Sequence, residues 1–325
     1  MLRVHRLKPA NHERVAVSVI IPARNEERNI EDVVVKVLAQ TKAGDEVVVV
    51  DDDSTDDTAM RANNAGARVV QAGELPTGWL GKPHACWVGA SHARNEVLLF
   101  LDADVRLHGD ALNRILAAVQ RDRAALTSVQ PFHEPKRWGE HAALPFNVVS
   151  MVASGAGGGT RNALVFGPVL ACDADRYRAL GGHSADSVRG SVVEDIALGK
   201  LFGVSQVFLG SPDTVTFRMY PHGIASLFRG FSKNMASGAV NSRGLAFLAA
   251  AAWVAAQTGA LFTSPSLYVI GVAQMWFLGR QVGRFNVFDA VLYPVHLAVF
   301  FAALVRSAMV RVGLSRVTWA GRRVR

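Results

Sequence analysis

At 325 residues and 50% hydrophobic content, the chain is long enough for one large domain plus a smaller part. Its net charge of +8 and pI ≈ 9.9 admit nucleic acid, an anionic membrane surface or a phosphorylated substrate as partner. Two cysteines, Cys86 and Cys172, with no C-x-x-C and no paired histidines nearby, argue against a disulfide framework and a structural zinc site.

The first 16 residues are mixed and charged without an apolar core, so no secretory signal is expected and the chain is expected to start in the cytosol. Up to about residue 120, short apolar strands alternate with amphipathic helices. The predicted strands are 15–23 (VAVSVIIPA), 45–51 (DEVVVVD), 67–72 (ARVVQA) and 96–102 (EVLLFLD). Predicted helices lie between them, near 27–40, 57–65, 83–94 and 110–121. Continuously apolar strands separated by helices mean an α/β domain whose mainly parallel sheet is covered on both faces. Residues 124–222 are less regular and are expected to complete the same domain with mixed strands and helices. Residues 223–243 form an amphipathic basic helix able to lie on a bilayer, with Ile224, Leu227, Phe228 and Phe231 near helical spacing beside Arg229 and Lys233.

From Gly244 the composition changes. Residues 244–262 run 19 positions without a charge, close to the roughly 20 that span a bilayer. Residues 264–279 are shorter, and 287–305 are interrupted by Asp289, Pro294 and His296, so these are the weaker of about three membrane segments. If all three crossed from the cytosol, the tail with Arg306, Arg311, Arg316, Arg322, Arg323 and Arg325 would lie outside, against the positive-inside tendency. One segment is therefore expected to be re-entrant or interfacial. The terminal VTWAGRRVR, with Trp319, is expected to anchor at headgroup level.

The candidate site residues cluster at strand ends, where open α/β sheets bind ligands. Asp51, Asp52 and Asp53 end the second strand; Asp51 and Asp52 are placed to accept hydrogen bonds from a nucleobase or ribose, whereas Asp56 and Asp57 are read as capping the next helix, with Ser54 or Thr55 as its N-cap. In LDADV, Asp102 and Asp104 stand one residue apart after the fourth strand. Such a pair suits one hard cation, Mg²⁺ or Mn²⁺, whose other ligands are phosphate oxygens and waters. A departing diphosphate develops negative charge that a cation neutralises. In PARNEE after the first strand, Pro22, Arg24 and Glu26 are nucleotide-side candidates, Glu26 ahead of Arg24, which an exposed loop accounts for nearly as well. Lys82, between Gly81 and Pro83 at a helix start, suits phosphate, its alternative being a solvated turn lysine. Glu194 and Asp195 head an amphipathic helix; capping accounts for them on their own, while a sugar acceptor would need a general base there. The glycine-rich 154–160 follows no strand and fails as a dinucleotide fingerprint. His133, His141 and His183 are read as surface or packing residues, with a weak acceptor-side suspicion for His183. Nucleic acid is disfavoured, because the basic residues sit beside apolar segments rather than interleaved with aromatics.

VSVIIPARNE, VVVVDDDSTDDT, LLFLDADV and VVEDIALG, in this order and spacing, resemble the family 2 glycosyltransferases of GT-A fold. GWLGKPHAC, SVQPF, GPVLAC, GGHSADSVRG, FRGFSKN and WAGR resemble the membrane-associated branch that contains the diaponeurosporenoate and hopene-associated glycosyltransferases. The resemblance implies inverting transfer from a nucleotide sugar, usually a UDP-sugar, with Mg²⁺ or Mn²⁺. It implies Asp51 and Asp52 at the nucleoside, Asp102 and Asp104 at the metal and diphosphate, and Asp195, rather than Glu194, as base. Where processive members carry Q-x-x-R-W, this chain reads LFRGFSKN, so a single sugar on a lipid acceptor, bound at the membrane, is expected instead of a polymer. The alternatives are a polyprenyl-phosphate sugar or small polysaccharide synthase, and an inactive sugar-nucleotide-binding membrane protein.

Overall fold

Valine, isoleucine and leucine runs after residues 17, 47 and 97 become strands buried on both faces, since side chains that alternate sides of a covered sheet must all be apolar. The structure, a computed structural model, describes residues 4–10, 14–154, 164–221, 223–241, 244–312, 314, 317–319 and 322–324. It divides into two units: His5–Pro131 with Gly159–Phe217, and Met1–Val4, Phe132–Gly158 and Arg218–Arg325.

In the first unit the elements run β1 (Val17–Ala23), α1 (Ile30–Leu38), β2 (Glu46–Asp51), α2 (Thr58–Asn64), β3 (Arg68–Gln71), α3 (Gly81–His92), β4 (Val97–Leu101), β5 (Val105–Leu107), α4 (Ala111–Arg121) and β6 (Leu126–Gln130). β7 (Phe132–His133) and α5 (Leu144–Ser154) belong to the second unit. The chain returns to the first with β8 (Val169–Asp173), α6 (Ala174–Ala179), α7 (Asp186–Arg189), α8 (Glu194–Phe202), β9 (Ser205–Leu209) and β10 (Val215–Phe217). The second unit continues with α9 (Ile224–Asn241), α10 (Gly244–Thr263), α11 (Pro265–Val282), α12 (Val287–Val291) and α13 (Tyr293–Arg311).

The sheet order is β3-β2-β1-β4-β8-β6-β9. β1, β2, β3 and β4 are mutually parallel, as are β6 and β9, while β8 runs antiparallel to both β4 and β6. The mainly parallel mixed sheet expected from the sequence is therefore present. Pairing of β1 with β2 continues to Ala23 and Asp51, whereas pairing with β4 ends at Ile20 and Phe100. Pro22 thus falls where the ladder toward β4 has ended and its missing N–H costs nothing. The splayed carboxyl ends of β1 and β4 leave the crevice in which such sheets bind ligands. α3 lies tight on β1 because Gly89 faces it; a Cβ there would collide with the Ile20 side chain and come within 3.0 Å of Val50.

Helix starts shift from expectation. α1 begins at Ile30 rather than near Glu27, because residues 24–29 form the turn that carries Arg24 and Glu26. Ser54 and Thr55 do not cap α2. The Ser54 hydroxyl accepts from the Asn25 N–H at 3.0 Å, and Asp56 takes the capping task by accepting from the Thr58 N–H at 3.1 Å.

In the second unit, Phe146 of α5 stacks on Phe231 of α9 with ring centroids 3.6 Å apart, and both pack with Phe300 of α13. This aromatic packing is why 132–158 groups with the C-terminal helices, not with the 1–222 domain expected from the sequence. It also covers most of the apolar stripe of α9: Leu227 is fully buried and only Ile224 of the four residues is exposed. The third apolar segment is not one broken helix. Asp289 accepts from the Asn286 N–H in a capping box that starts α12, and Pro294 sits in the first turn of α13, where a proline fits. Among the described residues α13 is the one helix both long and apolar enough to cross a membrane. The first segment forms α10, several of whose side chains lie outside the described residues, as does the glycine-rich stretch from 155 onward.

Candidate active site

Asp102 and Asp104 leave the end of β4 through a turn in which the Val105 N–H donates to the Asp102 carbonyl at 3.1 Å. Ala103 between them is buried, and the two carboxylates are near enough that the Asp102 charge acts on Asp104. The Asp102 N–H is held at 2.9 Å by the Pro168 carbonyl, and Arg106 ties the turn to α1 by donating to the Ala103 carbonyl (3.0 Å), the Asn29 carbonyl (3.3 Å) and the Asp32 carboxylate.

Lys82, in the first turn of α3, is the hub. Its Nζ lies 2.7 Å from Asp102 Oδ1 and 3.1 Å from Glu194 Oε1, joining the end of β4 to the head of α8. Burial opposes its charge, but Asp102 and Glu194 together hold its pKa well above the usual lysine range. Asp195, next to Glu194, accepts from the Ile196 N–H at 2.8 Å. Burial, then the neighbouring Glu194 charge, pushes Asp195 up to about 7. Burial and the charges of Asp102 and Glu26 push Asp104 to about 7 as well. Glu26, whose carboxylate accepts from Asn29 Nδ2 at 2.8 Å, is raised chiefly by burial. Two carboxyls near neutrality beside three further acidic groups are a concentration of negative charge that a bound cation or a proton relieves.

The donor set fits a hard divalent ion. Asp102 and Asp104 offer two carboxylates and leave the remaining positions to phosphate oxygens and waters, as Mg²⁺ or Mn²⁺ requires. Among the described residues no group of three or more His, Cys, Asp or Glu is arranged to hold a metal without such partners.

Asp51 and Asp52 close β2, 4% and 5% exposed. Asp51 Oδ1 is buried with no hydrogen-bond partner among the described residues, an acceptor available to an N–H or hydroxyl of a ligand. Arg24 donates to the Asp52 carbonyl and lies 3.4 Å from the Asp53 carboxylate, so it braces this loop. The Asn25 side chain accepts from the Thr55 N–H at 2.8 Å, and Asn25 and Asp53 both adopt left-handed backbone. The β1 and β2 loops are thus locked together, a task the sequence pattern does not assign to Asn25. Nor does the pattern single out Gly167: a Cβ there would lie 2.7 Å from Asp195 Oδ2, so only glycine leaves that carboxylate its place. The GPVLAC stretch is its only signal. His183 is a packing residue, buried beneath Phe100 and hydrogen-bonded to the Tyr177 hydroxyl at 2.9 Å. His133 is buried beside Asn147 at 3.2 Å, and His141 pairs with Asp289 at 2.8 Å.

Residues 18–155 match the model of the family described as "Glycosyl transferase family 2". The chain is 32% identical to the 4,4'-diaponeurosporenoate glycosyltransferase of Staphylococcus aureus strain USA300 over 98% of its own length and 92% of the relative's, and equally to that of strain MRSA252. Among solved structures it superimposes on the mannosyltransferase PcManGT from Pyrobaculum calidifontis, in complex with GDP-Man and Mn²⁺, with a TM-score of 0.59 and 19% identity, over 94% of this chain and 90% of that one. That likeness bears on the fold, which is of GT-A type. Motifs, sheet and full-length similarity together make this chain a member of the family 2 glycosyltransferases, and a glycosyltransferase in activity.

Proposed function

We propose that the chain transfers a sugar from a nucleotide sugar, a UDP-sugar in the first instance, to an apolar, carotenoid-type acceptor bearing a hydroxyl or carboxyl group. Transfer inverts the anomeric centre and takes place at the cytosolic face of a membrane. The observation that carries this reading is the Lys82 bridge, which gathers Asp102, Asp104, Glu194 and Asp195 into one acidic cluster. The acceptor class rests on the substrate named for the Staphylococcus relative.

In this reading Asp51 and Asp52, with Pro22, Arg24 and Glu26 shaping the loops, receive the nucleoside. Lys82 contributes a positive charge to the diphosphate. A divalent cation on Asp102 and Asp104 supplies Lewis acidity for the departing diphosphate when bound. Asp195 takes the proton of the acceptor oxygen as that oxygen attacks the anomeric carbon from the face opposite the leaving group; Glu194 keeps Lys82 in place and raises the basicity of Asp195. A carboxyl acceptor needs this base too, because the surrounding carboxylates disfavour its ionised form. Within residues 1–222, the unit of His5–Pro131 with Gly159–Phe217 carries catalysis, 223–243 form the boundary helix, and 244–325 meet the membrane and the acceptor.

The test is transfer from a panel of UDP- and GDP-sugars by detergent-solubilised protein with Mn²⁺ and a carotenoid acid or membrane lipid extract as acceptor. Sugar in the organic phase, lost in Asp104→Ala and Asp195→Asn, supports the reading and identifies the donor. Polymer, or a sugar on a polyprenyl phosphate, replaces it with a synthase; nucleotide binding without turnover replaces it with a binding protein.

A further inference from the structure

Tryptophan is highly buried on average in folded proteins; Trp138 is 71% exposed, and the chain around it is built to keep it so. It opens the short helical turn Trp138–Ala143, in which Glu140 is fully buried. Glu140 accepts from the Lys136 N–H at 2.8 Å and from Arg218 at 3.0 and 2.5 Å, which fixes the bend over 136–140. Gly139 is pressed against the first residue of α9, since a Cβ there would come within 3.0 Å of the Ile224 nitrogen. Arg137 donates to the Pro221 carbonyl at 3.4 Å. With positions 139 and 140 held inward, the indole of Trp138 stays outside, between solvent-exposed Lys136 and Arg137 on one side and Ile224, itself 43% exposed, on the other.

A third stretch of the same unit reaches this bend. The Arg284 N–H donates to the His133 carbonyl at 2.8 Å, and the Arg284 guanidinium lies 2.9 Å from the Glu134 carboxylate. His141, in the turn that Trp138 opens, pairs at 2.8 Å with Asp289, whose neighbour Phe288 is 73% exposed. Residues 134–141, the start of α9 and residues 284–289 are thus stitched into one surface that carries Lys136, Arg137, Trp138, Ile224, Arg284 and Phe288. Its acids are engaged from within: Glu140 by Arg218, Asp289 by His141 and Glu134 by Arg284. Among the described residues Lys136 and Arg137 have no ion-pair partner, so the surface has a net positive charge beside exposed aromatic and aliphatic side chains.

An exposed indole beside cations suits the headgroup layer of a bilayer, where the ring takes the boundary between apolar and polar regions and the cations meet phosphate. A free phosphate or nucleotide would leave Ile224 and Phe288 without a use. We propose that this surface binds anionic phospholipid headgroups, with Lys136 and Arg137 on the phosphates and Trp138 at the boundary with the acyl chains. The surface is made by the bend before α5, the first residue of α9 and the approach to α12, and is separate from the long apolar helices. It gives the protein a preference for lipid charge, which uncharged helices such as α10 do not supply.

Lipid binding is read without turnover, so this inference and the proposed reaction fail separately. Full-length protein in detergent micelles is titrated with brominated phosphatidylglycerol or brominated phosphatidylcholine while tryptophan emission is followed, and the difference between wild type and Trp138→Phe isolates the Trp138 signal. Phosphatidylglycerol is expected to quench that signal at a mole fraction at least about tenfold below the one phosphatidylcholine needs, because each basic residue near an anionic surface is worth about fivefold in binding. The double variant Lys136→Gln/Arg137→Gln should lose the preference, while Lys136→Arg/Arg137→Lys should keep it, which separates lost charge from a disturbed bend. Quenching of Trp138 equally by both lipids, or by neither, overturns the proposal. So does an emission change that follows protein concentration and not lipid, the mark of a second copy on this surface.

Discussion

Replacing Gly167 with alanine places a methyl group against the candidate base. Its Cβ would meet Asp195 Oδ2 at 2.7 Å, whereas ordinary contact starts at 3.4 Å, so one partner must retreat by about 0.7 Å. The Gly167 backbone is poorly placed to yield. The Phe166 N–H donates to the Ser128 hydroxyl at 2.8 Å, and the Pro168 carbonyl accepts from Asp102 at 2.9 Å. Asp195 therefore moves. A misplacement of about 1 Å at a reacting group can cost on the order of 100-fold, so a 10- to 100-fold loss of kcat is expected, or about 1.4–2.8 kcal/mol of barrier. Donor KM should change by less than about threefold, since the nucleotide-side residues are not displaced. Steady-state transfer kinetics with calorimetric titration of UDP provide the assay. Wild-type kcat in a folded Gly167→Ala protein would refute the idea that Asp195 works from the position described.

Other perturbations have equally definite expectations. Because burial and Glu194 push Asp195 to about 7, transfer should rise with pH through an acid limb near 7, and Glu194→Gln should shift that limb to lower pH. The raised Asp104 pKa gives the opposite trend in stability. The fold favours its protonated form, so the contribution is complete below the ordinary value of 3.8 and is lost as pH rises through about 7. Donor-free, metal-free protein should thus lose Tm as pH rises from about 4 to about 7 and change little from this group above that, with a smaller loss in Asp104→Asn. Lys82→Met leaves Asp102 and Glu194 without their shared cation; donor KM should rise at least about tenfold, in keeping with the loss of a charge-assisted contact, and the acid limb should move to higher pH. Asn25→Ala removes the acceptor for Thr55 from a left-handed position that alanine tolerates poorly, and should cost about 1–3 kcal/mol in urea unfolding while weakening UDP binding.

The buried strands were legible because an unbroken apolar run of five or so residues bounded by aspartates suits little besides a strand covered on both faces. The aspartate clusters at the ends of β2 and β4 followed from the strands. The partners that fix those aspartates were not legible. Arg106 acts through neighbours brought close by the pairing of β1 with β4, and Asn25 through neighbours brought close by the pairing of β1 with β2, proximities absent from the linear chain. Gly167 shows its purpose only once Asp195 stands against it. In the C-terminal part, Asp289 read as an interruption of a membrane segment because its role as a cap depends on a chain reversal at 283–286. The apolar stripe of α9 suited a bilayer and α5 equally well, and only the stacking of Phe146 on Phe231 decided between them.

The most direct check compares wild type with Asp195→Asn in UDP affinity and in single-turnover transfer to an organic-extractable acceptor. The expected outcome is UDP binding unchanged within about twofold and transfer reduced on the order of 100- to 10,000-fold, the usual worth of a general base. Transfer by Asp195→Asn at close to the wild-type rate would contradict the assignment of proton abstraction to this carboxylate.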